Sequence, residues 1–257
     1  MQQELLQAKD AVVSILRGIG PELLESYGDV AGTMKQDKSV VTYLDGWAES
    51  EIQEGLLRFD RSIGFLGEEN GAIGNTQKRW LIDPVDGTEQ FIRGIPFCGN
   101  MITLVDGKQL LVSVIYNFVT GDIYWAVKGG GAWKNDKQLR VSERPLDRSM
   151  VEVSVDFKKP TELDLFLKLA QSIKTPTRFN CSAFTSTMIG QGSIEGRVVF
   201  SGKGGPWDYA PGVLLATEAG GVAVHSDGSD YDYERTSDVL VGTQPVVEFV
   251  LSHLASN

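Results

Sequence analysis

The sequence contains the stretch Trp80-Leu-Ile-Asp-Pro-Val-Asp-Gly-Thr88, in which a short apolar run leads directly into two aspartates. Asp83 and Asp86 stand three positions apart, with Pro84 between them. Because proline has a fixed φ and no N–H, this spacing predicts a tight, non-helical turn in which both carboxylates face one point. Val85 adds a backbone carbonyl oxygen, a hard ligand of the kind that Mg²⁺ accepts. The stretch therefore predicts a loop that holds a divalent cation.

The residues that follow this loop are suited to an anion. Gly87 and Thr88 precede Glu89–Arg93, a segment that can begin a short helix. Free N–H groups at a helix start attract anions, and Thr88 adds a hydroxyl group. We therefore expect an anion, such as a phosphate group, to bind beside the cation.

Two further acidic positions are candidates for the same site. Glu68 and Glu69 come directly after an apolar strand, Ile63–Leu66, and Asp208 opens a helix that runs from Trp207 to Ala219. Strand ends that stop at carboxylates are common places for functional sites. An aspartate at a helix start is also an ordinary cap, so a ligand role and a capping role both remain open for Asp208.

Composition excludes several classes of function. The 257 residues carry a formal net charge of -10 and contain no run of Lys or Arg, so we expect no nucleic-acid polymer and no anionic membrane as a partner. The two cysteines lack CxxC spacing, and two histidines cannot supply a multi-histidine metal site. The N-terminus has no basic segment followed by an apolar run, and no stretch approaches the ~20 apolar residues of a membrane span. A cytoplasmic, soluble protein is the resulting prediction.

Hydrophobic periodicity divides the chain into two halves. The first half is expected to hold a helix over Glu4–Leu16 that Gly18 and Gly20 end, a helix from Thr42 to Arg58, and an antiparallel meander over Met101–Val105, Leu110–Tyr116 and Ile123–Val127. Ser142–Ser149 lacks apolar periodicity and is the candidate linker. Strands and helices alternate after it, which indicates an α/β layer. We therefore predict an N-terminal α+β half over residues 1–144, which carries the metal and phosphate loop, and a C-terminal α/β half over residues 145–257, which completes the active site.

Four motifs together resemble the inositol monophosphatase family of metal-dependent, lithium-sensitive phosphatases. The family signatures have the forms W-x-[IV]-D-P-[IVL]-D-G-T and W-D-x-[AG]-[AP]-G…E-A-G-G. This chain has WLIDPVDGT at 80–88 and WDYAPGVLLATEAGG at 207–221. It also has GEEN at 67–70, and Val41-Thr42 with Asp45 where the family usually has V-T-x-x-D. The motifs occur in the family order over most of the chain.

The resemblance implies a layered α-β-α-β-α sandwich, a homodimer, and two or three Mg²⁺ ions per active site. The metal ligands that it implies are Glu68, Asp83, the Val85 carbonyl, Asp86 and Asp208. The catalytic residues that it implies are Glu68 and Thr88, which would orient and deprotonate the attacking water, and Asp45, near a weaker third metal. The substrate and phosphate contacts that it implies are Asp86, Gly87, Thr88, Ser182, Lys203 and Asp208. Asp45 also fits an ordinary exposed position in the first turn of a helix, where negative charge is favoured.

The sequence leaves the substrate open. Inositol-hydrolysing members of the family carry an acidic residue shortly before the W-D pair, whereas Arg197–Pro206 contains no carboxylate here. Lys203 and Arg197 can neutralise a second anionic group or can simply be solvated. The expected activity is hydrolysis of a small phosphorylated metabolite, with inositol phosphates, fructose 1,6-bisphosphate, histidinol phosphate and 3′-phosphoadenosine nucleotides as candidates. The alternative is a regulatory protein that binds a phosphometabolite with weak or no turnover.

Overall fold

The computed structural model describes residues 2–35, 40–200 and 204–254. Over these residues the helices are α1 (Gln2–Glu25), α2 (Tyr43–Phe59), α3 (Thr88–Ile92), α4 (Pro160–Ser172), α5 (Ser182–Gly190), α6 (Pro206–Glu218) and α7 (Gln244–Leu254). The strands of the first half are β1 (Thr33–Met34), β2 (Val40–Val41), β3 (Gly64–Gly67), β4 (Gly71–Ile73), β5 (Lys78–Asp86), β6 (Gly99–Asp106), β7 (Gln109–Asn117), β8 (Asp122–Val127), β9 (Gly131–Lys134) and β10 (Lys137–Gln138). Those of the second half are β11 (Met150–Ser154), β12 (Thr175–Thr177), β13 (Gly196–Val199), β14 (Val222–His225) and β15 (Val239–Gly242).

The strands form two main sheets. The larger sheet has eight strands in the order β10-β9-β8-β7-β6-β5-β3-β4, and all of its pairs are antiparallel except β3 with β5. The smaller sheet has five strands in the order β12-β11-β13-β15-β14, with parallel pairs at one edge and antiparallel pairs at the other. The predicted meander is thus β6, β7 and β8.

Helices cover both faces of both sheets. Helices α1 and α2 pack on one face of the larger sheet, whereas α5 and α6 lie between the sheets and contact both of them. Helices α4 and α7 pack on the outer face of the smaller sheet. Side chains alternate between the two faces of a strand, so both faces of a sheet present apolar residues to the helices. Leu81 and Ile82, for example, are neighbours on β5 and belong to hydrophobic cores on opposite faces of the larger sheet. The predicted α-β-α-β-α sandwich is confirmed.

The first helix is longer than the sequence predicted. Gly18 and Gly20 were expected to end it, but α1 continues through both glycines and through Pro21 to Glu25. At Gly20 a Cβ atom would lie 2.8 Å from the hydroxyl of Tyr116 on β7, so the glycine permits close packing of helix on sheet. Burial of apolar side chains on this face outweighs the low helix propensity of glycine.

The predicted turn at Pro84 is instead a bulge within a strand. Strand β5 runs from Lys78 through Asp86, and its pairing with β6 shifts register between Asp83 and Asp86. Proline cannot donate to the ladder, which explains the interruption at this point, and Asn100 donates to the Pro84 carbonyl at 2.5 Å. In a regular strand, residues three apart point to opposite faces, so the shift permits both carboxylates to reach one place.

Candidate active site

Three carboxylates from two distant parts of the chain meet at the end of β5. One oxygen from each of Asp83, Asp86 and Asp208 lies within 4.8 Å of the others. Asp83 and Asp86 come from the bulge of β5, whereas Asp208 is the third residue of α6. Oδ2 of Asp208 accepts the N–H of Gly205 at 2.7 Å. Asp208 therefore caps the start of α6, one of the two roles that the sequence left open, and also belongs to this cluster.

Asp86 is held by the start of α5. Its carboxylate accepts the N–H groups of Ser182 (3.2 Å) and Ala183 (2.7 Å), and the thiol of Cys181 donates to its Oδ2 at 2.7 Å. The sequence predicted that Ser182 contacts the substrate. In the structure its backbone N–H contacts Asp86 instead, and its contact with a substrate stays a prediction.

Glu68 lies near this cluster but not within the closely spaced trio. Lys35 contacts both glutamates of the loop after β3, at 3.4 Å from Glu68 and 2.5 Å from Glu69. Glu49 on α2 holds this loop in place. It is fully buried and accepts the N–H groups of Glu69 (2.8 Å) and Asn70 (2.9 Å). A rigid support therefore holds Glu68 beside the aspartates.

Thr88 and Asp45 form a contact across the loop. The hydroxyl of Thr88 lies 2.9 Å from Oδ1 of Asp45 and 2.9 Å from the Val85 carbonyl, so it can donate to either. Asp45 is only 2% exposed, which excludes the exposed helical position considered from the sequence. Its Oδ2 accepts both the N–H and the hydroxyl of Thr42, which is the N-cap of α2.

Gly87 occupies a position that only glycine fits. Its φ is +78°, and a Cβ there would lie 2.5 Å from the backbone carbonyl of Phe97. The left-handed conformation ends β5, and the predicted short helix follows as α3, which begins at Thr88, one residue earlier than predicted.

Burial and mutual repulsion perturb the whole cluster. Burial raises the pKa of Glu68 to about 7, with Lys35 opposing the rise and Asp208 adding to it. Burial and then the charge of Asp86 raise the pKa of Asp208 to about 6, against the opposing charge of Arg197. Asp83 has a pKa well above its usual range because of burial and then the charge of Glu68. Such a group of carboxylates is unfavourable unless protons or cations compensate the charge.

The donor set fits a hard divalent cation. All of its side-chain donors are carboxylate oxygens, which suit Mg²⁺ and do not favour softer metals. Oδ1 of Asp83 is buried and has no hydrogen-bond partner, although buried polar atoms are rarely left unpaired. A cation at the trio would satisfy that atom.

Several residues that shape the site were missed by sequence reasoning. Glu49 occupies a helical position on the same stripe as Ile52 and Leu56, so an acidic residue on an apolar face was the available signal. Cys181, Lys35 and the Arg197–Glu152 pair gave no such signal, because their partners are distant in the sequence. Lys203, a predicted substrate contact, lies outside the described residues.

The family model described as the inositol monophosphatase family matches residues 2–256. The chain belongs to the inositol monophosphatase family. It is 30% identical over 253 residues to the "Fructose-1,6-bisphosphatase/inositol-1-monophosphatase" of Aquifex aeolicus, covering 94% of this chain and 92% of that protein. It is 31% identical over 244 residues to an inositol-1-monophosphatase of Caulobacter vibrioides, covering 90% and 94%. The recognised family and the predicted class, phosphoric monoester hydrolase, are confirmed.

Solved structures share the fold of this family member. The extragenic suppressor protein SuhB of Bartonella henselae superposes with a TM-score of 0.89 at 27% identity, over 96% of this chain and 98% of that one. An IMPase/NADP phosphatase complexed with Mg²⁺ and phosphate superposes with a TM-score of 0.85 at 19% identity, over 99% and 97%. Among the helices of residues 2–35, 40–200 and 204–254, none combines the length and the apolar character needed to cross a bilayer.

Proposed function

We propose that this phosphatase is Mg²⁺-dependent and hydrolyses a small sugar or inositol phosphate. The observation that carries the proposal is the convergence of Asp83, Asp86 and Asp208 to within 4.8 Å at a strand end. The similar IMPase/NADP phosphatase that was crystallised with Mg²⁺ and phosphate supports the choice of ion.

We assign the cation ligands to Glu68, Asp83, Asp86, Asp208 and the carbonyl of Val85, for two or three ions per site. When bound, such ions make a coordinated water more acidic and neutralise the charge of a phosphate ester. The unpaired buried oxygen of Asp83 and the raised pKa values of Glu68 and Asp208 support this assignment, because the nearby Lys35 and Arg197 do not fully compensate the buried negative charge.

We assign the handling of the attacking water to Thr88, Glu68 and Asp45. The Thr88 hydroxyl is within hydrogen-bond distance of Asp45, so it can donate a hydrogen bond to Asp45 while its oxygen accepts one from water. Glu68 would take up the proton that this water releases. The backbone N–H groups of Gly87 and Thr88 would hold the phosphate.

The substrate class rests on the names of the relatives and on the composition of segment 197–206. Curated relatives carry names that include inositol-1-monophosphatase and fructose-1,6-bisphosphatase, which favours a polyol or sugar phosphate over a nucleotide. Segment 197–206 lacks the carboxylate found in inositol-hydrolysing members, so a sugar phosphate is the first choice. Lys203 remains the proposed contact to its leaving group, together with Ser182.

We further propose that residues 1–144 and 145–257 act as two halves with the catalytic cleft between them. The assembly is proposed to be a homodimer, as the family resemblance implies, and the location cytoplasmic. The strong net negative charge of -10 supports small metabolites, and not nucleic-acid polymers, as partners.

A release assay tests this function. Phosphate would be measured after incubation with inositol 1-phosphate, fructose 1,6-bisphosphate, histidinol phosphate and 3′-phosphoadenosine 5′-phosphate, each with Mg²⁺ and with EDTA. We expect turnover only with Mg²⁺, and fastest with the sugar or inositol esters. Saturable binding of these esters without turnover would favour the phosphometabolite-binding regulatory protein instead.

A further inference from the structure

A charged pair lies buried behind the carboxylate trio. Arg197 on β13 and Glu152 on β11 are register partners in the parallel part of the smaller sheet, and they are 8% and 0% exposed. Nε of Arg197 lies 3.8 Å from Oε2 of Glu152. Burying two charges costs desolvation free energy unless each charge has partners. The neighbours of this pair therefore indicate its role.

The neighbours of the pair belong to the helices that carry the site. Nη1 of Arg197 donates to the hydroxyl of Ser182, on α5, at 3.0 Å, and its guanidinium lies 5.3 Å from the centre of the Tyr209 ring on α6. Glu152 accepts the hydroxyl of Thr185, also on α5. Arg197 is therefore enclosed by the sheet and both central helices, and is not free to meet a substrate anion as the sequence had suggested.

The hydrogen-bond roles at Ser182 are determined by Arg197. A guanidinium group only donates, so the Ser182 oxygen must accept from it. The single hydroxyl proton of Ser182 is then available to an acceptor, and Oδ1 of Asp208 lies 3.4 Å away, a long hydrogen bond. Because Oδ2 of Asp208 is held by the N–H of Gly205, the two contacts together set the plane of this carboxylate.

Ser182 also touches a second member of the trio. Its N–H donates to Oδ1 of Asp86 at 3.2 Å, so one residue links Asp86 and Asp208. The positive charge of Arg197 stands behind both of these carboxylates. Glu152 is the counter-ion of Arg197: it neutralises the charge of the guanidinium and helps to hold it in place.

We propose that Arg197 is a positioning residue: by donating to Ser182 it directs the serine hydroxyl to Asp208 and so aligns that carboxylate for a divalent cation. The proposal rests on the proposed cation site. The competing explanation is that the Arg197–Glu152 pair only stabilises the contact between the smaller sheet and the central helices.

The test is a double-mutant cycle on the affinity for Mn²⁺, measured by titration calorimetry without substrate. The variants are Ser182→Ala, the charge-neutral pair Arg197→Met/Glu152→Gln, and all three changes together. Residues that orient metal ligands typically change affinity by about 10- to 100-fold when they are replaced. We expect a loss in that range for Ser182→Ala and for the pair, and no further loss in the triple variant, because both act through one hydroxyl.

Two controls separate positioning from stability. Arg144→Met/Glu195→Gln removes another ion pair, in which Glu195 is 1% exposed, away from the trio. We expect it to lower the melting temperature while leaving the Mn²⁺ affinity within about twofold of wild type. Ser182→Thr keeps the hydroxyl and should restore most of the affinity that Ser182→Ala loses.

Each outcome is decisive. Unchanged affinity in a folded Ser182→Ala protein overturns the positioning role even if the Arg197 variant does not fold, and it leaves the proposed function intact. Losses that add in the triple variant also overturn it, since Arg197 would then act independently of Ser182. A wild-type protein that binds no Mn²⁺ would contradict the proposed function and this inference together.

Discussion

Replacement of Asp83 by asparagine separates metal binding from folding. Asp83 is 2% exposed, and its pKa is raised well above the usual range by burial and then by the charges of Glu68 and Asp86. Asparagine has nearly the same shape and no charge, so it removes repulsion from the metal-free protein. We therefore expect the melting temperature of Asp83→Asn without metal to equal or exceed that of wild type.

The same variant should respond weakly to Mg²⁺. A ligand present at 100 times its Kd stabilises a protein by about 2.7 kcal/mol, and about 1 kcal/mol shifts the melting temperature by about 2–4 °C for a chain of this size. Wild type should thus gain about 5–10 °C. If Asp83→Asn weakens binding by about 100-fold, the same Mg²⁺ concentration contributes about 0.4 kcal/mol, or about 1 °C.

The assay is thermal unfolding followed by circular dichroism, with EDTA and with rising Mg²⁺. Asp106→Asn is the matched control, because Asp106 pairs in register with Lys78 at the opposite end of β5 and is exposed. It should show the full wild-type shift. An equally large shift in Asp83→Asn would refute the assignment of Asp83 as a cation ligand.

Four further outcomes are expected. Thr88→Ala should lower kcat by about 100-fold or more while the Mg²⁺-induced thermal shift stays unchanged, and Thr88→Ser should recover activity; a Thr88→Ala enzyme of normal kcat would remove the hydroxyl from the mechanism. Gly87→Ala should destabilise the protein by about 2 kcal/mol or more, since its Cβ would meet the Phe97 carbonyl at a left-handed φ, and chemical denaturation measures this directly. Calorimetry from pH 8 to pH 6 should show weakening Mg²⁺ affinity and proton release on binding, because Glu68 (pKa about 7) and then Asp208 (pKa about 6) take up protons that compete with the cation; a flat profile argues against both as ligands. Lithium at millimolar concentration should inhibit phosphate release, as the family resemblance implies, and full activity in its presence would place this chain apart from the lithium-sensitive members.

The local chemistry of the site could be predicted from the sequence because it is concentrated in short motifs. Asp83, Asp86, Gly87 and Thr88 are neighbours, and their spacing alone indicates a cation beside an anion. For Asp208 the residue type and helical position left a ligand role and a capping role open, and the family resemblance favoured the ligand role. The structure brings it within 4.8 Å of the other two aspartates, and it acts as a cap as well.

The supporting contacts could not be predicted, because they depend on packing between distant segments. The register that places Arg197 beside Glu152 arises only when β13 pairs with β11. Gly20 lies inside α1 because a side chain there would clash with Tyr116 of a later strand, and the local helix propensity of glycine gives no sign of that contact. Pro84 was correctly seen as an interruption, but the two flanking strands convert the expected turn into a bulge.

The most direct measurement is anomalous diffraction from crystals soaked in Mn²⁺, a substitute for Mg²⁺ that can be located by its own signal. We expect a strong peak within coordination distance of Asp83, Asp86 and Asp208, and its loss in crystals of Asp83→Asn. Crystals at saturating Mn²⁺ with no peak among these three carboxylates would contradict the claim that they hold the cation for phosphate ester hydrolysis.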